Sequence, residues 1–393
     1  MDKKVILKRN HTGYERPDHP WIYRSQLREV VGRPAPGDLV EIQGQKGTVG
    51  VGYFNPHSEI TVRILSRKIQ PIDKDFFKSK IEKAFTHRKR FVSGTNAFRL
   101  ISSEADGLPG LIADWYDQTL VVQFLTLGME KLRPFVLEAL EETLPLNGLY
   151  EKSNSASRTL EGLPPRLGWI RKDCSDEVVV IEEGIRYAVR FEEGHKTGFY
   201  LDQRENRILM GRMGIKGAVL DAFCYEGGFG LHLARGGAKE VLGVDIQSDV
   251  IARAEENRNL NGLSEGVVRY RKADVFDALK EFETEQKKFD LVILDPPSFL
   301  KKKEALEGAL AGTKEIILRS MKILNDPGLL AVFSCSFHIN DDLLMRTALS
   351  AAHDVRKSLK VLKFLKQSTD HPIDPFIPET YYLKGFLFEV SAS

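Results

Sequence analysis

Three groups of residues in this 393-residue chain have the types and spacing for chemistry. Cys335 lies in Phe333-Ser334-Cys335-Ser336, directly after the apolar run Gly328-Leu329-Leu330-Ala331-Val332-Phe333. Upstream, Asp295-Pro296-Pro297 follows a second apolar run, Phe289-Asp290-Leu291-Val292-Ile293-Leu294. Further upstream, a third run leads into the turn Asp221-Ala222-Phe223-Cys224-Tyr225-Glu226-Gly227-Gly228-Phe229-Gly230. Such runs read as buried strands, and open α/β sheets present their reactive groups at strand ends. A thiolate can add to an electron-poor carbon, a carboxylate can hold the edge of a base, and small turn residues let a ligand approach the backbone. The combination points to an enzyme that attacks a base and methylates it.

The turn is not the dinucleotide fingerprint G-x-G-x-x-G, because Phe223 and Tyr225 stand where glycines would clear room for a pyrophosphate. A cofactor without a pyrophosphate is favoured, and S-adenosyl-L-methionine fits. Asp245 ends the next strand and can accept both ribose hydroxyls, although it could instead cap the helix beginning near Ser248. Asp274 ends the third strand and can accept from the adenine amino group. Acids on successive strand ends, in this order, indicate a class I methyltransferase core.

An Asp-Pro-Pro turn after the fourth strand serves two chemistries. Methylation of an exocyclic amine needs only a group that holds the amine. Methylation of a pyrimidine C5 needs a thiolate to add first at C6, because C5 is a poor nucleophile. Cys335 is placed for the second task; its bland alternative is a buried apolar cysteine. Cys224 is read as packing and Cys174 as a loop residue without a role.

The elements that must position these groups follow from periodicity. Residues 1–70 hold short β patterns with glycines at bends, which suggests a small curled barrel. A basic amphipathic helix is expected over 75–93, strands at 98–101, 111–115 and 119–124, and a second helix over 129–142. Strands at 177–182 and 185–191 form a hairpin through Glu182-Glu183-Gly184. From about 205, strands at 218–223, 240–245, 267–272, 290–294 and 328–334 alternate with helices, so a parallel doubly wound sheet is expected.

The chain is long enough for two or three domains. No stretch approaches the roughly 20 apolar residues of a membrane span, and the N-terminus opens no signal-peptide core. Three cysteines make neither a disulfide framework nor a zinc spacing, so no metal is expected and a reducing cytoplasm is the simplest home. Net charge is only +2, but it is unevenly placed. Residues 78–99 carry seven Lys/Arg against Glu82, residues 354–366 carry five against Asp354, and the first 33 residues carry eight against four acids. Singly these are solvated helix faces; beside a base-modifying site they suggest phosphate contacts.

Across nearly its whole length the chain resembles the bacterial large-subunit rRNA cytosine-C5 methyltransferases of the RlmI type. The resemblance is carried by Gly198-Phe199-Tyr200-Leu201-Asp202-Gln203-Arg204, Asp221 to Phe229, Asp295-Pro296-Pro297-Ser298-Phe299, Phe333-Ser334-Cys335-Ser336, Asp370-His371-Pro372 and Tyr382-Leu383-Lys384-Gly385-Phe386. It implies a PUA RNA-binding domain over 1–70, a central α+β domain over 71–180, and a Rossmann-like S-adenosylmethionine-dependent methyltransferase domain over 181–393. The implied product is 5-methylcytosine in 23S rRNA. Cys335 would be the nucleophile at C6, and Asp295 would hold the cytosine N3/N4 edge. Pro296 and Pro297 would stiffen that turn, and Phe299 could stack on the base or serve the core. Gln203, Asp221, Phe223, Tyr225, Gly227, Asp245, Asp274 and Asp295 are the implied cofactor contacts. The target base would have to be flipped out or single-stranded.

Another branch of cytosine-C5 RNA methyltransferases has a second cysteine directly after Asp-Pro-Pro; here that place is Ser298. The base that removes the C5 proton is not identified by any motif, and His338 is only one candidate. Two alternatives remain at this level: an rRNA guanine methyltransferase, for which Cys335 would be dispensable, and a non-catalytic RNA-binding assembly factor. A small-molecule methyltransferase would not need the basic segments. The barrel and central domain could also support a homodimer.

Overall fold

The structure is a computed structural model and describes residues 2–8, 19–298 and 306–393. It forms two compact units: Met1–Val180 with Val189–Leu201 and Thr369–Thr380, and Ile181–Ala188 with Asp202–Ser368 and Tyr381–Ser393.

In the first unit, strands Lys4–Leu7, Trp21–Ile22, Leu27–Val31, Leu39–Gly44, Gly47–Phe54 and Val62–Ser66 make a six-stranded sheet. Strands Ala97–Ser102, Leu111–Tyr116, Thr119–Phe124, Gly148–Ser153 and Arg166–Lys172 make a five-stranded one. The two sheets share a core, because Val51, Tyr53 and Leu65 pack in the same cluster as Phe77, Leu100 and Leu111. The Tyr53 hydroxyl is buried there and donates to the Pro109 carbonyl at 2.9 Å. The expected basic helix is Lys74–Phe91, with Asp73 accepting from the Phe76 amide as its N-cap. The helix expected over 129–142 is instead two, Leu127–Lys131 and Arg133–Thr143. Pro134 at the start of the second explains the break, since it has no N–H to continue the first.

Two of the seven cations in 78–99 are not solvated. Arg88 is buried and forks onto both Asp106 oxygens at 2.6 and 2.7 Å, and Arg99 forks onto buried Asp114 at 2.7 and 2.8 Å. They fix strands and leave the outward cations for any phosphate.

The second unit contains a seven-stranded sheet. We label its strands β1 (Ala218–Ala222), β2 (Glu240–Asp245), β3 (Val268–Lys272), β4 (Phe289–Leu294), β5 (Leu324–Ser334), β6 (Lys357–Lys366) and β7 (Lys384–Ala392). Their spatial order is β3-β2-β1-β4-β5-β7-β6. The first five are parallel; β7 runs antiparallel to both β5 and β6. The inner parallel strands β1, β2, β4 and β5 are largely apolar on both faces because helices cover both, while edge strand β3 carries Arg269, Arg271 and Lys272. Leu220, Val244, Val292 and Val332 point into one core cluster, while Val219, Val241, Ile293 and Phe333 point into the other. The basic stretch 354–366 is thus mostly strand β6 at the sheet edge, not a helix face. Two of its cations are paired, Lys357 with Asp326 at 3.0 Å and Lys360 with Glu389 at 2.8 Å.

Candidate active site

Strand order reverses between β1 and β4, the place where open α/β sheets take their ligands, at the carboxyl ends of the strands. In register, Ala222 is opposite Leu294, which is opposite Val332. Asp221, Asp295 and Cys335 therefore all lie at the ends of three adjacent strands. Cys335 follows the last residue of β5 and is half-buried between buried Ser334 and Ser336.

The turn after β1 is held in a conformation most residues avoid. Phe223 and Tyr225 have φ of 64° and 47°, and Gly227 has φ of 82°. Left-handed backbone at two non-glycine positions costs of order 1–3 kcal/mol each, so surrounding contacts must impose it. They are visible. The Cys224 amide donates to the Val244 carbonyl at 3.0 Å, and the Tyr225 amide donates to Asp245 Oδ2 at 3.2 Å. Arg253 Nε donates to buried Glu226 at 2.7 Å, and Asn257 Nδ2 donates to the Glu226 carbonyl at 3.1 Å. Below Gly227 there is no room for a side chain, since a Cβ would lie 2.1 Å from the buried hydroxyl of Tyr270.

Asp221 is almost wholly buried. Its Oδ2 accepts from the Gly230 amide at 2.9 Å, while Oδ1 has no hydrogen-bond partner. Burial, with Asp295 and Asp245 nearby, pushes its carboxyl up to about 8 against the opposing Gly230 hydrogen bond. A buried carboxyl oxygen without a hydrogen-bond partner suits a polar ligand that supplies one.

Gln203 Nε2 donates to Asp295 Oδ2 at 3.0 Å, and Asn206 Nδ2 donates to Gln203 Oε1 at 2.6 Å and to the Lys366 carbonyl at 3.0 Å. This chain of amides orients Asp295 from β6. Pro296 is buried and Pro297 exposed, while Phe299 lies outside the described residues. Asp245 does not cap the following helix; it accepts from the Tyr225 and Gln247 amides. Asp274 is exposed and does cap a helix, accepting from the Phe276 amide at 2.7 Å. His338 is exposed in the turn after Cys335.

Several residues that support the site carried no signal in the sequence. Buried Arg207 forks onto buried Glu182 at 2.9 and 2.5 Å, and its Cδ lies 2.8 Å from where a Gly228 Cβ would be. In the sequence Glu182 reads only as a hairpin residue. Asn206 stands three residues after Gln203 on the next helical turn, a spacing that could have been noticed.

Residues 105–388 match the family described as S-adenosylmethionine-dependent methyltransferase, and residues 5–67 match a PUA-like domain. The ribosomal RNA large subunit methyltransferase I of Shewanella frigidimarina is 41% identical over 379 residues, 95% of each chain. The protein of that name from Alteromonas mediterranea is 39% identical over 395 residues, the whole of both.

This chain belongs to the large-subunit ribosomal RNA methyltransferase I family.

The α/β class I methyltransferase fold and the PUA-like N-terminal structure expected from the motifs are therefore both found. Among solved structures, a methyltransferase-fold chain in complex with SAH superposes with a TM-score of 0.85 at 20% identity, over 98% of this chain and 99% of that one. A Streptococcus mutans chain assigned as a SAM-dependent methyltransferase gives 0.83 at 19% identity with the same coverage. At such identity the likeness speaks to the fold. S-adenosylmethionine is the family's cofactor, and the site fits it: the buried Asp221 Oδ1 has no hydrogen-bond partner, and Phe223 and Tyr225 stand in the turn where a pyrophosphate cradle would need glycines. No described helix is long and apolar enough to cross a membrane.

Proposed function

We propose that this chain forms 5-methylcytosine in large-subunit rRNA, with Cys335 as the nucleophile. The observation that carries the reading is the placement of Cys335 and Asp295 at the ends of neighbouring strands β5 and β4, beside the cofactor turn of β1.

Asp221 and Asp245, with the backbone of Phe223, Tyr225 and Gly227, would hold S-adenosylmethionine, and Asp274 would approach its adenine with the oxygen not used in the helix cap. When bound, the cofactor supplies an electrophilic methyl group. Asp295, oriented by Gln203, holds the N3/N4 edge of a cytosine and favours its N3-protonated form. The Cys335 thiolate forms a C–S bond at C6, and the displaced electron pair moves to C5. After C5 has taken the methyl, loss of the C5 proton to a base restores the C5–C6 double bond and expels the thiolate. With serine at 298, Cys335 is the one partly exposed thiol at these strand ends; Cys224 is buried within the turn and Cys174 belongs to the other unit.

The test is methyl transfer from labelled S-adenosylmethionine to large-subunit rRNA by Cys335→Ala, with 5-methylcytosine mapped in the product. Loss of turnover with retained cofactor binding is expected. Retained turnover would favour the guanine reading and sink the C6 adduct. Cytoplasmic location is proposed on the same ground, since rRNA is the substrate.

A further inference from the structure

The steps above leave one buried cation beside the nucleophile unused. Lys384 is 3% exposed. It opens β7 directly across from Ser334, the residue before Cys335. Its Nζ donates to the carbonyl of Ser336, the residue after Cys335, at 3.3 Å, and to the Tyr382 carbonyl at 3.3 Å. The lysine side chain thus brackets the cysteine. Its ammonium lies 5.2 Å from the centre of the Tyr381 ring. Asp341, on the helix Asp341–Asp354, also acts on it, but one Asp341 oxygen already accepts from the Tyr381 hydroxyl at 2.9 Å. Burial pushes the Lys384 ammonium below the usual lysine range, and Asp341 and Cys335 push it back up.

A buried ammonium seeks an anion, and a sulfur in an apolar setting resists becoming one. Paired, each offsets the other's desolvation. We propose that Lys384 is a positioning residue for Cys335, holding the sulfur as a thiolate ready to add to C6. The idea rests on Cys335 being the nucleophile. The S–H proton leaves to solvent before substrate binds, the thiolate forms the C–S bond, and its expulsion at the end returns it to the same ammonium; no oxidant or reductant is needed.

The measurement is the rate of Cys335 alkylation by iodoacetamide against pH, followed on the Cys335 peptide by mass spectrometry so that Cys174 and Cys224 do not contribute. The midpoint in the unmodified protein is expected below the roughly 8.5 of a free cysteine. Lys384→Met is expected to raise it by about one unit or more, which is about tenfold slower alkylation on the acid side, while Lys384→Arg keeps it low. The acid limb of the kcat profile should move with it. A midpoint at or above the free-thiol value in the unmodified protein overturns the proposal even where Lys384→Met fails to fold. Superimposable curves for Lys384→Met and the unmodified protein also overturn it. Alkylation needs no turnover, so the two ideas fail separately: an inactive Cys335→Ala with an unshifted midpoint removes only the role of Lys384, whereas an active Cys335→Ala removes the nucleophile beneath it.

Discussion

Asp221→Asn should change how the stability of this protein responds to pH. The folded-state carboxyl is raised from 3.8 to about 8, chiefly by burial. Its proton stabilises the fold fully below about pH 4, and that stabilisation is lost as pH rises through about 8. About 4.2 units at about 1.36 kcal/mol each give a total near 6 kcal/mol, of which about 4 kcal/mol is lost between pH 4 and 7. Asparagine keeps an acceptor for the Gly230 amide and has nothing to titrate. The stability of the wild-type protein relative to Asp221→Asn should therefore fall by about 4 kcal/mol from pH 4 to 7 and by about 1 more to pH 9. Urea denaturation of both proteins at the three pH values reads this, and other titrating groups cancel in the difference. A difference that stays flat with pH refutes the argument. The same carboxyl should ionise when a cationic cofactor binds beside it, so binding of S-adenosylmethionine at pH 7 should release close to one proton, read by calorimetry in buffers of different ionisation heat.

Gln203→Leu removes the donor that orients Asp295 and should cost about 1–3 kcal/mol of transition-state stabilisation, roughly tenfold or more in kcat/KM; an unchanged single-turnover rate would show that Asp295 needs no orientation. Glu182→Gln leaves buried Arg207 without its anion and should destabilise by about 3–5 kcal/mol, measured as a lower urea midpoint at pH 7. Arg207 and His232 outweigh burial and hold the Glu182 carboxyl down to about 2. Its contribution is therefore present above about pH 4.5 and lost as pH falls toward 2, so the gap between variant and wild type should close on acidification.

Strand positions were legible wherever both faces are buried. The runs ending at Ala222, Asp245, Leu294 and Ser334 are apolar at most steps on both faces, because helices cover both. Strand β6 is disguised for the opposite reason, whereas β7 is buried. β6 is an edge strand, and its lysines look outward, so it resembles a basic helix face. The broken helix at Leu132 follows from Pro134, which the apolar period alone concealed.

The sequence by itself determined the chemistry on offer: a thiol, an Asp-Pro-Pro turn and a cofactor turn, each closing an apolar run. Local rules suffice there, since strand period and turn composition are short-range. Only the tertiary structure decided which groups meet. Strand order places β4 between β1 and β5, and so brings Asp295 between Asp221 and Cys335. Antiparallel pairing of β7 with β5 sets Lys384 beside the thiol, 49 residues away along the chain. The protonation of Asp221 depends on burial and on neighbouring acids, and neither is a property of any stretch of sequence.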